Sequence, residues 1–198
     1  MNIIKIGGNI TLKEELICKI TDKDIGEIPI DMKNPRLRLA ARGIITREDG
    51  KIALQKKCNT NEFKLIGGGI ENEEEPSLAF KREVLEEAGC IVEIIEQLGI
   101  TEEYISMKNA KQISYIFVAK VINDLHTLEL TEKEKNEGAE LLWVTPEEAL
   151  KLVKDSYDKL LPSNYVEEYD VYRMRFIALR DRWILERYLN LEIKSDKN

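Results

Sequence analysis

The sequence predicts an α+β fold, a mixed and mainly antiparallel sheet sandwiched by helices, with an N-terminal extension and a long C-terminal helix. Three observations predict it. Short apolar runs broken by turn signals fill residues 36–144, helix starts stand at Pro76 and at Thr145–Pro146, and residues 165–191 hold neither proline nor glycine. The 198 residues suit one domain with extensions, or at most two small ones.

The elements follow in order. Ile3, Ile4 and Ile6 suggest a short strand, and residues 24–35, with Gly26, Pro29 and Pro35, read as a linker or edge segment. Leu37 to Thr46 alternates and is rich in leucine and isoleucine. Asp49-Gly50 then separates it from Ile52, Ala53 and Leu54, so a hairpin is expected. Phe63 to Ile66 is a short apolar run that feeds Gly67, Gly68 and Gly69. A helix begins at Pro76: proline suits its first turn, Glu73 to Glu75 favour the positive end of its dipole, and Gly89 fits the position just past its end. Ile91 to Ile95, Tyr104-Ile105 and Gln112 to Ile122 read as three strands, with a turn at Lys108-Asn109 before the last. Leu141 to Val144 is a further strand. Thr145-Pro146-Glu147-Glu148 is a capping-box helix start that Ala149 to Val153 continue. In the last third Tyr172, Phe176, Leu179, Trp183 and Tyr188 recur at helical spacing. They form a stripe that suits packing on the domain and also permits a homodimer contact. The expected division is an extension over 1–35, a core domain over 36–154 and a helical extension over 155–198.

Composition narrows the function. Thirty basic against 37 acidic residues leave a formal charge of −7, with no Lys/Arg-rich run, so a nucleic-acid groove is not expected. A phosphorylated small molecule remains open, because it needs only a local cluster of positive charge or a bound metal. No apolar stretch approaches the ~20 residues of a membrane helix, and no targeting segment is visible, so the expected location is cytoplasmic. Cys18, Cys58 and Cys90 show no CxxC spacing, and His126 is the lone histidine. They read as buried or half-buried thiols rather than a zinc site.

Chemistry concentrates in residues 68–90. On a helical wheel Glu83, Glu86 and Glu87 share an arc of about 100°, with Ala79 inside it, while Phe80, Val84, Ala88, Leu85 and Leu78 take the other side. A solvated face usually mixes glutamate with lysine at i,i+4, and this arc holds no lysine. Carboxylates facing one point beside a small alanine suit a divalent cation, and oxygen-only ligation favours Mg²⁺ or Mn²⁺.

The whole run, GGIENEEEPSLAFKREVLEEAGC, resembles the Nudix box, GX5EX7REUXEEXGU with U a bulky aliphatic residue. Gly68, Glu74, Arg82, Glu83, Val84, Glu86, Glu87 and Gly89 fall on its fixed positions in register, and Cys90 stands in for the last U. A second departure is Ile66, where many members of this MutT-like family carry proline. The family's order of hairpin, box helix, strands, closing strand and helix matches residues 36–154.

The resemblance implies a pyrophosphohydrolase that is Mg²⁺-dependent, with Mn²⁺ as substitute. Its substrate would be a nucleoside diphosphate linked to another group, cleaved by water attack on phosphorus. It implies metal ligation by Glu83, Glu86, Glu87 and the Gly67 carbonyl. Glu74 would assist through water or a second ion, and Arg82 would orient a glutamate. As general base it makes Glu137 the first candidate, with Glu134 and Glu140 as alternates. Gly68 and Gly69 would let backbone approach phosphate, and Arg42 could reach phosphate or sugar. Tyr104, Tyr115, Phe117 and Trp143 are candidate base platforms that read equally as packing residues. The main alternative is a catalytically silent nucleotide-binding regulator on the same fold.

Overall fold

The computed structural model describes residues 15–165 and 167–195; the expected strand at Ile3–Ile6 lies outside them. The strands are β1 (Leu16–Thr21), β2 (Arg36–Thr46), β3 (Ile52–Lys57), β4 (Glu62–Lys64), β5 (Gly67–Gly69), β6 (Cys90–Ile105), β7 (Ala110–Asp124) and β8 (Ala139–Val144). The helices are α1 (Pro76–Ala88), α2 (Glu132–Asn136), α3 (Pro146–Asp158) and α4 (Glu168–Ser195). The strands form one mixed sheet in the order β1-β6-β7-β2-β3-β4, with β5 added to β2 and β8 to β3. β1 runs parallel to β6 and β2 parallel to β7, and the remaining pairs are antiparallel.

Helices cover both faces. Ile45, Ala53, Phe117 and Ala119 pack against Ala79, Phe80, Val84 and Ala88 of α1. On the opposite face Ile44, Ile52, Leu54 and Leu65 pack against Ala149 and Val153 of α3 and Ile184 and Leu185 of α4. Central strand β2 therefore buries Ile44 and Ile45 toward different layers, which is why its apolar run is continuous rather than alternating. Residues 22–25 form a 3₁₀ turn after β1, and Ile20 and Ile25 meet Tyr172 and Phe176 of α4.

Several expectations meet their local physics. The β2–β3 turn closes through Gly50 at φ 76°, whose N–H donates to the Arg47 carbonyl at 3.1 Å. α1 starts at Pro76 and ends on Gly89 at φ 62°; a Cβ there would also collide with the Thr127 backbone. Thr145 caps α3, its hydroxyl accepting from the Glu148 N–H at 3.2 Å.

Three expectations are corrected. Ile91–Ile95 and Tyr104-Ile105 belong to one strand, β6, whose register against β7 shifts at three irregularities that erase its alternation. Leu78 (55% exposed) and Leu85 face solvent, because the acidic arc of α1 turns inward and adjoins the packed face instead of opposing it. Cys58 is exposed, whereas Cys18 and Cys90 are buried. In the C-terminal stripe Tyr172 and Phe176 are buried while Trp183 is 46% exposed. Among the described residues no helix is long and apolar enough to cross a membrane.

Candidate functional site

The site forms where α1 crosses β5. Gly68 permits that crossing: a Cβ there would stand 2.5 Å from the Glu83 carboxylate oxygens, so only glycine lets the helix carboxylate lie on the strand. β5 is held to β2 by the pairs Gly69 with Ala40, Gly68 with Ala41 and Gly67 with Arg42. The Gly67 N–H donates to Glu87 Oε2 at 3.0 Å. Glu87 is only 4% exposed, and Lys64 of β4 approaches its Oε1 at 3.0 Å.

Arg82 organises the other carboxylates. It grips Glu74 with two parallel bonds of 3.0 Å, and its Nη1 donates to Glu83 at 2.9 Å and to Glu86 at 3.2 Å. Its Nη2 also reaches the Gly69 carbonyl at 3.0 Å. This guanidinium ties the loop before α1, the helix and the glycine strand together. The hydrogen bond from Arg82 holds Glu74 below the usual carboxylate range. Burial pushes Glu83 up against the pull of Arg82.

Glu134 joins this cluster from α2. Burial raises the Glu87 carboxyl, which Lys64 opposes and a hydrogen bond with Glu134 reinforces. Burial would raise Glu134 too, but hydrogen bonds from Glu87 and Thr131 prevail and push it down to about 2.

A cleft of about 740 Å³ runs from this cluster along the sheet toward α4. Gly67, Gly68, Glu83, Glu87, Glu134 and Lys64 line one part of it. Arg42 follows, 4% exposed, with its Nε 3.4 Å from the Ser114 hydroxyl; burial and neighbouring Arg180 lower its pKa to about 10. Glu137 does not line the cleft. It pairs instead with Lys57 at 3.0 Å, so of the segment's glutamates the fold brings Glu134 to the carboxylates. The sequence offered no periodic signal for this choice, because α2 is a single short turn in an acid-rich segment.

The four candidate base platforms lie elsewhere. Phe117 stacks on Phe80 in the core, Tyr115 packs beside it, Trp143 lies under Arg47, and Tyr104 sits between Lys19 and Lys111. Sequence reasoning also missed Lys64 and a polar network under α4. There Arg180, 2% exposed, pairs with Asp181 at 2.8 Å and with Glu103 at 3.5 Å. Asp181 accepts the Leu65 N–H at 2.8 Å, two residues before Gly67. The signal for part of this network was legible: Arg36, Arg38 and Arg42 share one face of a strand by their even spacing.

The donors fit a hard divalent cation in kind, since the carboxylates and the Gly67 carbonyl offer only oxygen. As they stand, Arg82 and Lys64 occupy those carboxylates, and among the described residues no three acidic, histidine or cysteine side chains surround one point.

Comparison with known proteins gives the site its context. Residues 36–163 match the family model described as NUDIX domain, nearly two thirds of the chain. A MutT-like protein of Streptomyces ambofaciens is 26% identical over 132 residues, covering 65% of this chain and 78% of that protein. Diphosphoinositol polyphosphate phosphohydrolase 2 of Rattus norvegicus is 32% identical over 108 residues, 54% of this chain and 56% of that protein. The chain thus spans little more than half the length of that second relative. Among solved structures, the E. coli ORF135 protein gives a TM-score of 0.49 at 22% identity, over 82% of this chain and 96% of that one. On the extent of the family match, this chain belongs to the NUDIX family of hydrolases.

Proposed function

We propose that this hydrolase cleaves a pyrophosphate link in a nucleoside diphosphate joined to another group, by attack of water on phosphorus, with Mg²⁺ as its metal and Mn²⁺ as a substitute. The observation that carries this reading is the cleft in which Glu83 lies on Gly68, Glu87 accepts the Gly67 N–H, Glu134 stands beside Glu87, and Arg42 continues the wall. A diphosphate is shielded by its own charge, so its hydrolysis needs cations beside the phosphates and a base beside the water.

Glu83, Glu86, Glu87 and the Gly67 carbonyl would hold the metal, which when bound neutralises phosphate charge and makes water more acidic. This chain's own residues supply the rest. Arg82 holds Glu83, Glu86 and Glu74 in place. Arg42, pre-desolvated in the cleft wall, binds phosphate oxygen without first shedding water. Gly68 and Gly69 keep the floor flat enough for phosphate to approach backbone. Glu134, rather than the first-expected Glu137, is the base candidate we favour, because it lines the cleft beside Glu87 whereas Glu137 pairs with Lys57 outside it.

The test is phosphate-containing product release from a panel of nucleoside diphosphate derivatives with Mg²⁺ or Mn²⁺, beside Glu87→Gln. Metal-dependent turnover that falls by about 10²–10³-fold in the variant supports the reading. No turnover by folded, metal-loaded protein overturns it and favours the silent regulator.

A further inference from the structure

The part of the cleft farthest from α1 has a wall that the proposed diphosphate chemistry does not use. It is built from β2 and from α4, and α4 lies beyond the residues matched by the NUDIX model. Tyr169, Arg173, Phe176 and Arg180 recur on one helix face and line the cleft. Across from them, Arg38 and Gln112 are register partners on the sheet, and Gln112 donates to Glu103 at 2.5 Å.

The charge there is lopsided. Arg38 feels burial and the nearby cations Arg173 and Arg180, which act against its charge more than Glu103 supports it, and its Nη1 donates to the Gln112 side-chain oxygen. Among the described residues, neither Arg38 nor Arg173 has a carboxylate within ion-pair distance. Arg180 is buried, and its Nη2 has no hydrogen-bond partner among the described residues. An unpaired buried guanidinium N–H is costly, and like charges gathered in a low-dielectric wall repel. The repulsion falls when an anion enters.

A nucleobase does not match this wall. The face of Tyr169 is already covered by the Lys108 ammonium, 4.1 Å from the ring centroid. Phe176 is buried against Tyr172, with ring centroids 5.1 Å apart. The wall also stands off from the proposed scissile position. The Arg38 guanidinium lies beside Gly69, its Nη2 3.4 Å from where a Cβ would stand. Gly69 is two strand residues, ~7 Å, from Gly67.

We propose that α4 adds a second anion subsite to the carboxylate cleft, in which Arg38, Arg173 and Arg180 bind a phosphate group of the substrate lying outside the diphosphate being cleaved. The substrate class is then a compound carrying at least three phosphates, a narrower class that rests on the hydrolase reading above. Arg38 and Arg173 take the phosphate oxygens by charge-assisted hydrogen bonds, and Arg180 adds its charge from the wall behind them.

The probe is inositol hexakisphosphate, whose phosphates sit on separate carbons and which has no diphosphate to cleave. Its binding is measured by calorimetry on metal-free full-length protein, for wild type, Arg38→Gln, Arg173→Gln and Arg175→Gln. Arg175 stands on α4 outside this cleft, paired with Glu27. Arg180 is left intact because its loss threatens the fold. We expect wild type and Arg175→Gln to bind alike, and the other two to bind about ten- to a hundredfold more weakly with unchanged Tm. Failure of wild type to bind, or equal binding by all four proteins, overturns the subsite. Turnover separates this from the hydrolase reading. Arg173-dependent binding without hydrolysis of any panel member supports the subsite and sinks the hydrolase. Hydrolysis with Arg173-independent binding does the reverse.

Discussion

At the residue scale, Gly68 carries more of the site than any single carboxylate. Its missing Cβ is the space in which Glu83 lies. In Gly68→Ala the helix carboxylate must move off the strand, because the methyl carbon meets it at 2.5 Å. The contact is with a side-chain end, so the fold should survive while the carboxylates spread. We expect kcat/KM to fall by about 10²-fold with a Tm close to wild type, measured by steady-state kinetics and calorimetry. Glu87 shows the complementary case of a carboxyl that the fold buries among polar partners. Without the Gly67 N–H, Lys64 and Glu134 around it, its burial would be prohibitive.

At the element scale, α4 and the box are one construction. Asp181 is fully buried and does two things at once: it neutralises Arg180 and fixes the Leu65 N–H at the entry to the glycine strand. Asp181→Ala leaves the Leu65 N–H unpaired in the interior and Arg180 with Glu103 as its remaining carboxylate. We expect a loss of about 3–5 kcal/mol, read from urea unfolding, together with reduced activity from a displaced β5. α1 illustrates how an element can be right in extent and turned in orientation. Its start and stop follow from Pro76 and Gly89, yet the face it buries is set by the sheet beneath it, which takes Ala79, Phe80 and Glu87 and leaves Leu78 outside.

At the scale of the whole molecule, stability should depend on pH through carboxylates that the fold buries. Glu62 of β4 lies beside Lys57 at 3.8 Å, and Lys57 also holds Glu137, so the pair joins β3, β4 and the approach to β8. Burial raises the Glu62 carboxyl above its ordinary value, with Lys57 opposing. A carboxyl raised in the folded state keeps its proton there after the unfolded chain has lost it. Its contribution therefore favours folding at low pH and declines as pH rises from about 4.3 through the raised value. In Glu62→Gln that downward slope should disappear, so the variant's stability relative to wild type rises across this window, as denaturant titrations at stepped pH will record. A variant curve parallel to wild type would falsify the assignment.

What the sequence by itself determined is whatever rests on neighbours along the chain. The β2–β3 turn at Asp49-Gly50, the ends of α1, the Thr145 cap and the register of the box all depend on local dihedral preferences and on periods of two or 3.6 residues. Arg82 and Glu74 belong here too, eight positions apart across one helix entry. The tertiary structure decided the rest, because those features pair residues far apart in sequence. The continuity of β6 through its irregularities is set by β7, and the place of β1 in the sheet by β6. The placement of Glu134 beside Glu87, 47 positions away, follows from where a short helix lands. The arginine wall exists only because α4 folds back over β2, bringing Arg180 to a sheet face whose spacing alone could not name its partner.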